Sequence, residues 1–194
     1  RCHVSDSGGP VAGGYNPLAK QIYGEGLRLP PIKIYSRGRI RSDLVDLILL
    51  NVRTPSAFRG DMGAQFGALN VASRRLEQLC TELGPEVVSG SMSALLKRAE
   101  KMTLEAIRSL PAGEVTGMSL MEDPFGGPAL SIGCTLTVEK DRIRVSLRSD
   151  PQISAYKNSY FGNSISAVYA GLLTGLPAGI PRNGGTYRCF EVEL

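Results

Sequence analysis

The chain has 194 residues, 42% of them hydrophobic, which is enough to bury one good core and sets the expectation of one domain or a compact piece of a larger one. Its net charge of +4 is spread along the chain, and the tightest basic group (Arg37, Arg39, Arg41) sits in a turn without aromatic platforms, so a nucleic-acid surface is not expected. No apolar run is long enough to span a bilayer and no signal-peptide pattern appears; four scattered cysteines without a CxxC pair argue against a zinc finger and suit reduced thiols, so the expected setting is cytoplasmic, without a membrane.

In chain order, the opening RCHVSDSGGPVAGG sets His3, the only histidine, three residues before Asp6 and follows them with Gly8, Gly9, Gly13 and Gly14. Such glycine density lets backbone amides approach whatever the His and Asp side chains approach, a geometry suited to an anion or a metal-bound carbonyl. One His with one Asp cannot complete a metal site, so further ligands would have to come from elsewhere. The next stretch, IYGEGLRLPPIKIY from Ile22 to Tyr35, holds Glu25 and Arg28 between glycines and a proline pair that fixes φ and removes two donors. It reads as a rigid loop feeding a strand over Ile32–Tyr35, with Glu25 and Arg28 either serving a site or pairing with each other.

Ser42 and Asp43 open a helix through about Val52 that is apolar on nearly every side and is expected to be buried, with Asn51 and Arg53 as polar groups at a core edge. A second helix from about Ser56 carries a core stripe (Phe58, Met62, Phe66, Leu69, Leu76, Leu79, Leu83) until Gly84-Pro85. Gly60, Gly63 and Gly67 weaken it by about 1 kcal/mol each, for close helix packing or to bring Asp61 and Gln65, one turn apart, to a site without bulky neighbours. A third helix runs from Pro85 to Leu110 with Val88, Met92, Leu95, Ala99, Met102, Ala106 and Leu110 on one face, and the short turn predicts an antiparallel pair with the second. From Gly113 the period is two: strands over Val115–Met121, Leu130–Val138 and Ile143–Leu147 form an antiparallel meander with one wet face, joined by turns at Asp123–Pro128 and Lys140-Asp141. A polar loop over Tyr156–Gly162, a helix over Ser164–Leu173 and a terminal strand over Tyr187–Val192 follow. The fold class is therefore α+β, a long antiparallel helix hairpin with a β meander. Residues 1–55 carry site loops, a strand and the buried helix, 56–111 the hairpin, and 112–194 the meander, short helix and last strand, all within one domain or part of one.

Four ordered motifs, RCHVSDSGG, GEGLRLPPIKIY, DLILLNVRTP and GDMGAQFGALNVASRRL, closely resemble the hydantoinase B and 5-oxoprolinase family, which includes the acetone carboxylase large subunit. PAGEV (Pro111–Val115) and the terminal IPRNGGTYRCFEVEL continue the likeness. Family members are much longer. With no initial methionine and an end inside an expected strand, the chain reads as the central portion of a larger subunit.

The resemblance implies ATP-dependent chemistry on a carbonyl. A hydantoinase A-type partner subunit binds ATP and phosphorylates the substrate oxygen, while the B part carries a divalent metal (Zn, Mn or Fe) and hydrolyses a lactam or hydantoin. Carboxylation of a ketone, as in acetone or acetophenone carboxylase, and a non-catalytic scaffold subunit are the alternatives. No Walker-type loop is present, so ATP belongs to the partner. The family's motif places the metal ligand on His3, with companions in an upstream His-x-x-Asp stretch absent here. Many relatives have a second histidine at Val4. Asp6 is expected to orient the ligand or a water, Arg28 to fork a phosphate or carboxylate with Glu25 holding it, and Gly8, Gly9, Asp61 and Gln65 to line the substrate pocket.

Overall fold

A computed structural model describes residues 3–123, 126–149 and 157–194. Arg1 and Cys2 of the first motif, Pro124 and Phe125 of the expected turn, and Tyr156 of the expected loop lie outside the described residues. The chain divides into two compact units, residues 1–79 with 153–158, and residues 80–152 with 159–194. Described helices and strands together make the fold α+β.

In the first unit, the expected strand over Ile32–Tyr35 is displaced. Strand β1 (Tyr35–Ser36) pairs with β2 (Arg39–Ile40) across Arg37-Gly38, both at positive φ (51° and 74°). Two consecutive positive-φ residues make the mirror-image turn that matches strand twist in a two-residue hairpin, so the basic turn closes a ribbon where an open loop was expected. Helix α1 (Ser42–Leu50) begins after Arg41, whose guanidinium reaches the Asp43 carboxylate at 2.6 Å. The helix buries one side only. Val45, Ile48 and Leu49 are inside, while Leu47 is exposed and Leu50 is 86% exposed, so the expectation of all-round burial is corrected.

Helix α2 (Pro55–Leu83) also departs from its expected core stripe, for it holds no fully buried residue. Phe58 and Met62 pack with Ile34 on Val45, Leu49 and Val52, and Phe66 meets the Tyr35 ring edge-on at 4.9 Å. Beyond that turn Leu69, Leu76, Leu79 and Leu83 are exposed, because the short hairpin and α1 reach only the first turns of a 29-residue helix. A Cβ built on Gly60, Gly63 or Gly67 meets nothing within 4 Å, so nothing among the described residues packs closely against these glycines.

In the second unit, α3 (Pro85–Arg108) follows α2 through the single residue Gly84, at φ 87°. Its buried face is Val88, Ala99, Thr103 and Ile107; Met92 and Leu95, expected inside, are exposed. Strands β3 (Gly113–Met121), β4 (Leu130–Val138) and β5 (Ile143–Ser149) form the expected antiparallel meander. Its registers Leu136↔Val145 and Val138↔Ile143 put the apolar residues on one face, against Ile107, Leu172, Leu176, Ile180 and Phe190.

The last strand corrects the expectation for the C-terminal segment. Gly184–Tyr187 is a short helix, α5, capped by the Asn183 side chain accepting from the Gly185 N–H at 2.8 Å, and strand β6 is Phe190–Glu193. β6 lies parallel to β5. A parallel neighbour needs a crossover, which helix α4 (Phe161–Thr174) and α5 supply, so the sheet is mixed. Gly185 is required where it stands, since a Cβ there would run into the Leu96 carbonyl of α3.

Candidate functional site

The predicted site residues fall in the first unit, and they are organised from a buried carboxylate outward. Asp6 is only 2% exposed. Its Oδ2 accepts from the Arg53 backbone N–H at 2.7 Å, and its Oδ1 accepts from the Gly13 N–H at 3.0 Å, with the Arg53 guanidinium 3.5 Å away. Arg53 in turn donates to the carbonyls of Gly9 (2.5 Å) and Val11 (3.2 Å). A buried carboxylate is tolerated only when its lone pairs are met in this way. The Arg53 N–H, above all, holds the Asp6 carboxyl below the usual carboxylate range against the opposing pull of burial, helped by the Gly13 and Gly8 N–H groups and the Arg53 charge. Asp6 therefore fastens the glycine loop to the end of α1.

The second glycine stretch nests against the first, backbone on backbone. The Leu27 N–H donates to the Ser7 carbonyl at 2.7 Å. A Cβ on Gly9 would lie 2.9 Å from the Gly26 nitrogen, one on Gly26 would lie 2.7 Å from the Ser7 oxygen, and one on Gly8 would lie 2.5 Å from the Asn51 oxygen. Gly8, Gly9 and Gly26 also have φ of 78°, 82° and 124°. Only glycine satisfies both demands, so these residues let two loops and a helix end meet closely. Glycines 8 and 9 thus have a packing role, whatever else they line.

Asp61 joins from α2, its Oδ2 accepting from the Ser5 N–H at 3.0 Å, while the Ser5 hydroxyl meets that of Thr54 at 2.9 Å. His3, two residues before Ser5, is exposed. Glu25 and Arg28 do not pair with each other. Arg28 lies over the Tyr23 ring at 5.3 Å and makes no ion pair or hydrogen bond among the described residues, so its donors remain open to a carboxylate or phosphate. Glu25 is exposed, and Gln65, one turn beyond Asp61, is half-buried without a hydrogen bond to this assembly among the described residues. The structure thus brings Asp6, Gly8, Gly9, Asp61 and the Glu25–Arg28 loop to one nest and leaves Gln65 at its margin.

Sequence reasoning missed Arg53 as the partner of Asp6, Ser7 as the bridge to Leu27, and Tyr23 beneath Arg28. The isolated polar pair Asn51 and Arg53 after an apolar helix was the signal available for the first; nothing in the spacing marked the other two. A cleft of about 520 Å³ on the same unit is lined by Asp46, Leu49, Leu50, Pro55, Ser56 and Arg59, none of them a predicted site residue.

A divalent ion needs about three or more protein ligands, and among the described residues no three His, Cys, Asp or Glu side chains come together to hold one. The Asp6 oxygens are already engaged by N–H donors. These residues alone do not make up a metal site.

No helix among the described residues is long and apolar enough to cross a membrane. The chain is 40% identical over 193 residues to the caprolactamase subunit beta of Pseudomonas jessenii, a match covering 99% of this chain and 33% of that one. It is 25% identical to the acetophenone carboxylase delta subunit of Aromatoleum aromaticum, covering 99% of this chain and 29% of that subunit. The fold matches the crystal structure of the ATP-dependent caprolactamase from Pseudomonas jessenii with a TM-score of 0.91, over 97% of this chain and 33% of that chain. The chain thus spans about a third of the length of the relatives it matches. The hydantoinase B/oxoprolinase family model matches residues 1–194, and with a nest built from the very motifs that suggested it, the chain belongs to the hydantoinase B/oxoprolinase family.

Proposed function

We propose that this chain is part of an ATP-dependent hydrolase of cyclic amides, a lactam or hydantoin, working with a hydantoinase A-type subunit that binds ATP and phosphorylates the carbonyl oxygen. The observation that carries the reading is the 40% identity to caprolactamase subunit beta across 99% of the chain. The nest supports it chemically. Arg28, stacked on Tyr23 and free to fork two oxygens, suits a phosphorylated or carboxylate-bearing intermediate, and the exposed Glu25 beside it suits proton transfer at the departing amide nitrogen. Asp6 acts through others, holding the loop that presents His3 at the surface. His3 would contribute one ligand to a divalent ion, which would supply Lewis-acid activation when bound.

The likeness to acetophenone carboxylase supports a second reading, carboxylation of a ketone, because both reactions begin by activating a carbonyl oxygen. The complete complex, given ATP and caprolactam, is expected to release ADP in step with ring opening and without need of bicarbonate. ADP release that requires a ketone and bicarbonate would establish the carboxylase reading, and none with either substrate would leave a scaffold role. His3→Ala in that complex is expected to abolish turnover and lower bound metal; full metal content with normal turnover would remove the role given to His3.

A further inference from the structure

The β-sheet of the second unit has two very different ends. β6, at one end, is four residues long and carries Glu191 and Glu193, the short charged edge that proteins use to discourage further pairing. β3, at the other end, is nine residues long and contains neither lysine nor proline. Its one charge, Glu114, lies at the start of the strand, exposed, and accepts from the Thr137 hydroxyl of β4 at 3.3 Å. Every residue of β3 is exposed. Val115 (63% exposed) lies on the face shared with Leu136, and Met118 and Leu120 (75% and 63%) lie on the other, across from Gly133 and Ser131. The core helices cover β5 and β6, but among the described residues nothing covers either face or the outer edge of β3 over Glu114–Leu120.

A strand with this length, this apolar content on both faces and an open row of backbone donors and acceptors is a template for one more strand. We propose that β3 receives a fifth strand, an extended segment with apolar residues on both faces, from the polypeptide that accompanies this fold in its longer relatives. The same fold occupies 33% of the caprolactamase chain, so a subunit of that length has twice as much polypeptide again from which to supply it. This inference rests on the sheet and its edge and is independent of the reaction assigned above.

Hydrogen–deuterium exchange followed by mass spectrometry tests it, comparing the 194-residue chain alone with the same sequence in the complex purified from its source cells. The peptide spanning Glu114–Leu120 is expected to exchange rapidly at its alternate, outward amides in the chain alone, and at least 100-fold more slowly in the complex, while β4 and β5 peptides change little. Equal exchange of Glu114–Leu120 in both samples would overturn the proposal. So would sedimentation showing the chain alone to be a dimer whose β3 amides are already protected and whose dimerisation Leu120→Lys abolishes, since the occupant would then be a second copy. Leu120→Lys projects into solvent away from the core, so the variant is expected to fold. In the complex it is expected to loosen protection of Glu114–Leu120 by about tenfold or more, and unchanged protection there would also count against the added strand.

Discussion

The loop nest of the first unit and the sheet of the second are held together by different forces. Around Asp6, a single buried carboxylate gathers the N–H groups of Gly13 and Arg53, and three glycines let backbone meet backbone; the apolar cluster beside it is small, Val45, Leu49 and Val52 with a few half-buried partners. Around Ile107 and Phe190, eight buried residues from helices, strands and the segments between them make a continuous apolar core. Each such side chain contributes roughly 1.5–3 kcal/mol by leaving water. The comparison teaches that the part of the molecule expected to do chemistry is also the part whose shape depends on polar groups and exact backbone approach, and is the easier of the two to perturb by charge.

The sharpest way to break the comparison is in the core. Phe190→Ala is expected to cost about 3–5 kcal/mol, read as a large fall in the melting temperature of the sheet, because the cavity opens between β6 and α4. Next is Gly8→Ala. A non-glycine residue at φ 78° costs about 1–2 kcal/mol before any clash, and the new Cβ also meets the Asn51 carbonyl, so protease cleavage within residues 6–14 should rise sharply while the circular dichroism of the sheet stays unchanged.

Acid separates the two regions more gently. The Asp6 carboxyl titrates lower in the folded chain than in the unfolded one, so its contribution is fully present above the unfolded value of about 3.9 and is lost as pH falls through the folded one. Glu191, held low chiefly by its bond from Arg144, behaves with the same sign in the sheet. Glu191 is half exposed, though, and its ion pairs with Arg142 and Arg144 should fade at 1 M salt, whereas Asp6 is met mainly by fixed N–H groups. Exchange measured from pH 5 down to pH 2 at high salt should therefore show the loop over residues 6–14 opening with a pH dependence the sheet lacks; equal loss in both regions would erase the distinction. The smallest effect expected is from Arg41→Ala, whose pair with Asp43 is open to water on both sides, and its melting temperature should match the parent within error.

Much of the fold was legible before any coordinates. The period-two segments and their turns placed β3, β4 and β5 to within a residue or two, and Gly84-Pro85 marked the break between α2 and α3. What misled was burial. An apolar stripe such as Leu69, Leu76 and Leu79 says that a face wants cover, and cannot say whether this stretch of polypeptide provides it. Of the site, the family motifs pointed to His3, Asp6 and the glycines, yet the pairing of Asp6 with Arg53, 47 residues away, was invisible because sequence spacing carries no information about which distant backbone N–H a carboxylate will meet.

By itself the sequence determined the α+β class, the positions of the four longer helices and of β3, β4 and β5, and the family, since these follow from local periodicity and from motifs read in order. Only the tertiary structure decided that β6 runs parallel to β5, that Glu25 leaves Arg28 to Tyr23, and that Asp6 is buried. Those outcomes are settled by competition among non-local partners for a limited set of hydrogen bonds and apolar surfaces, which no window along the chain contains.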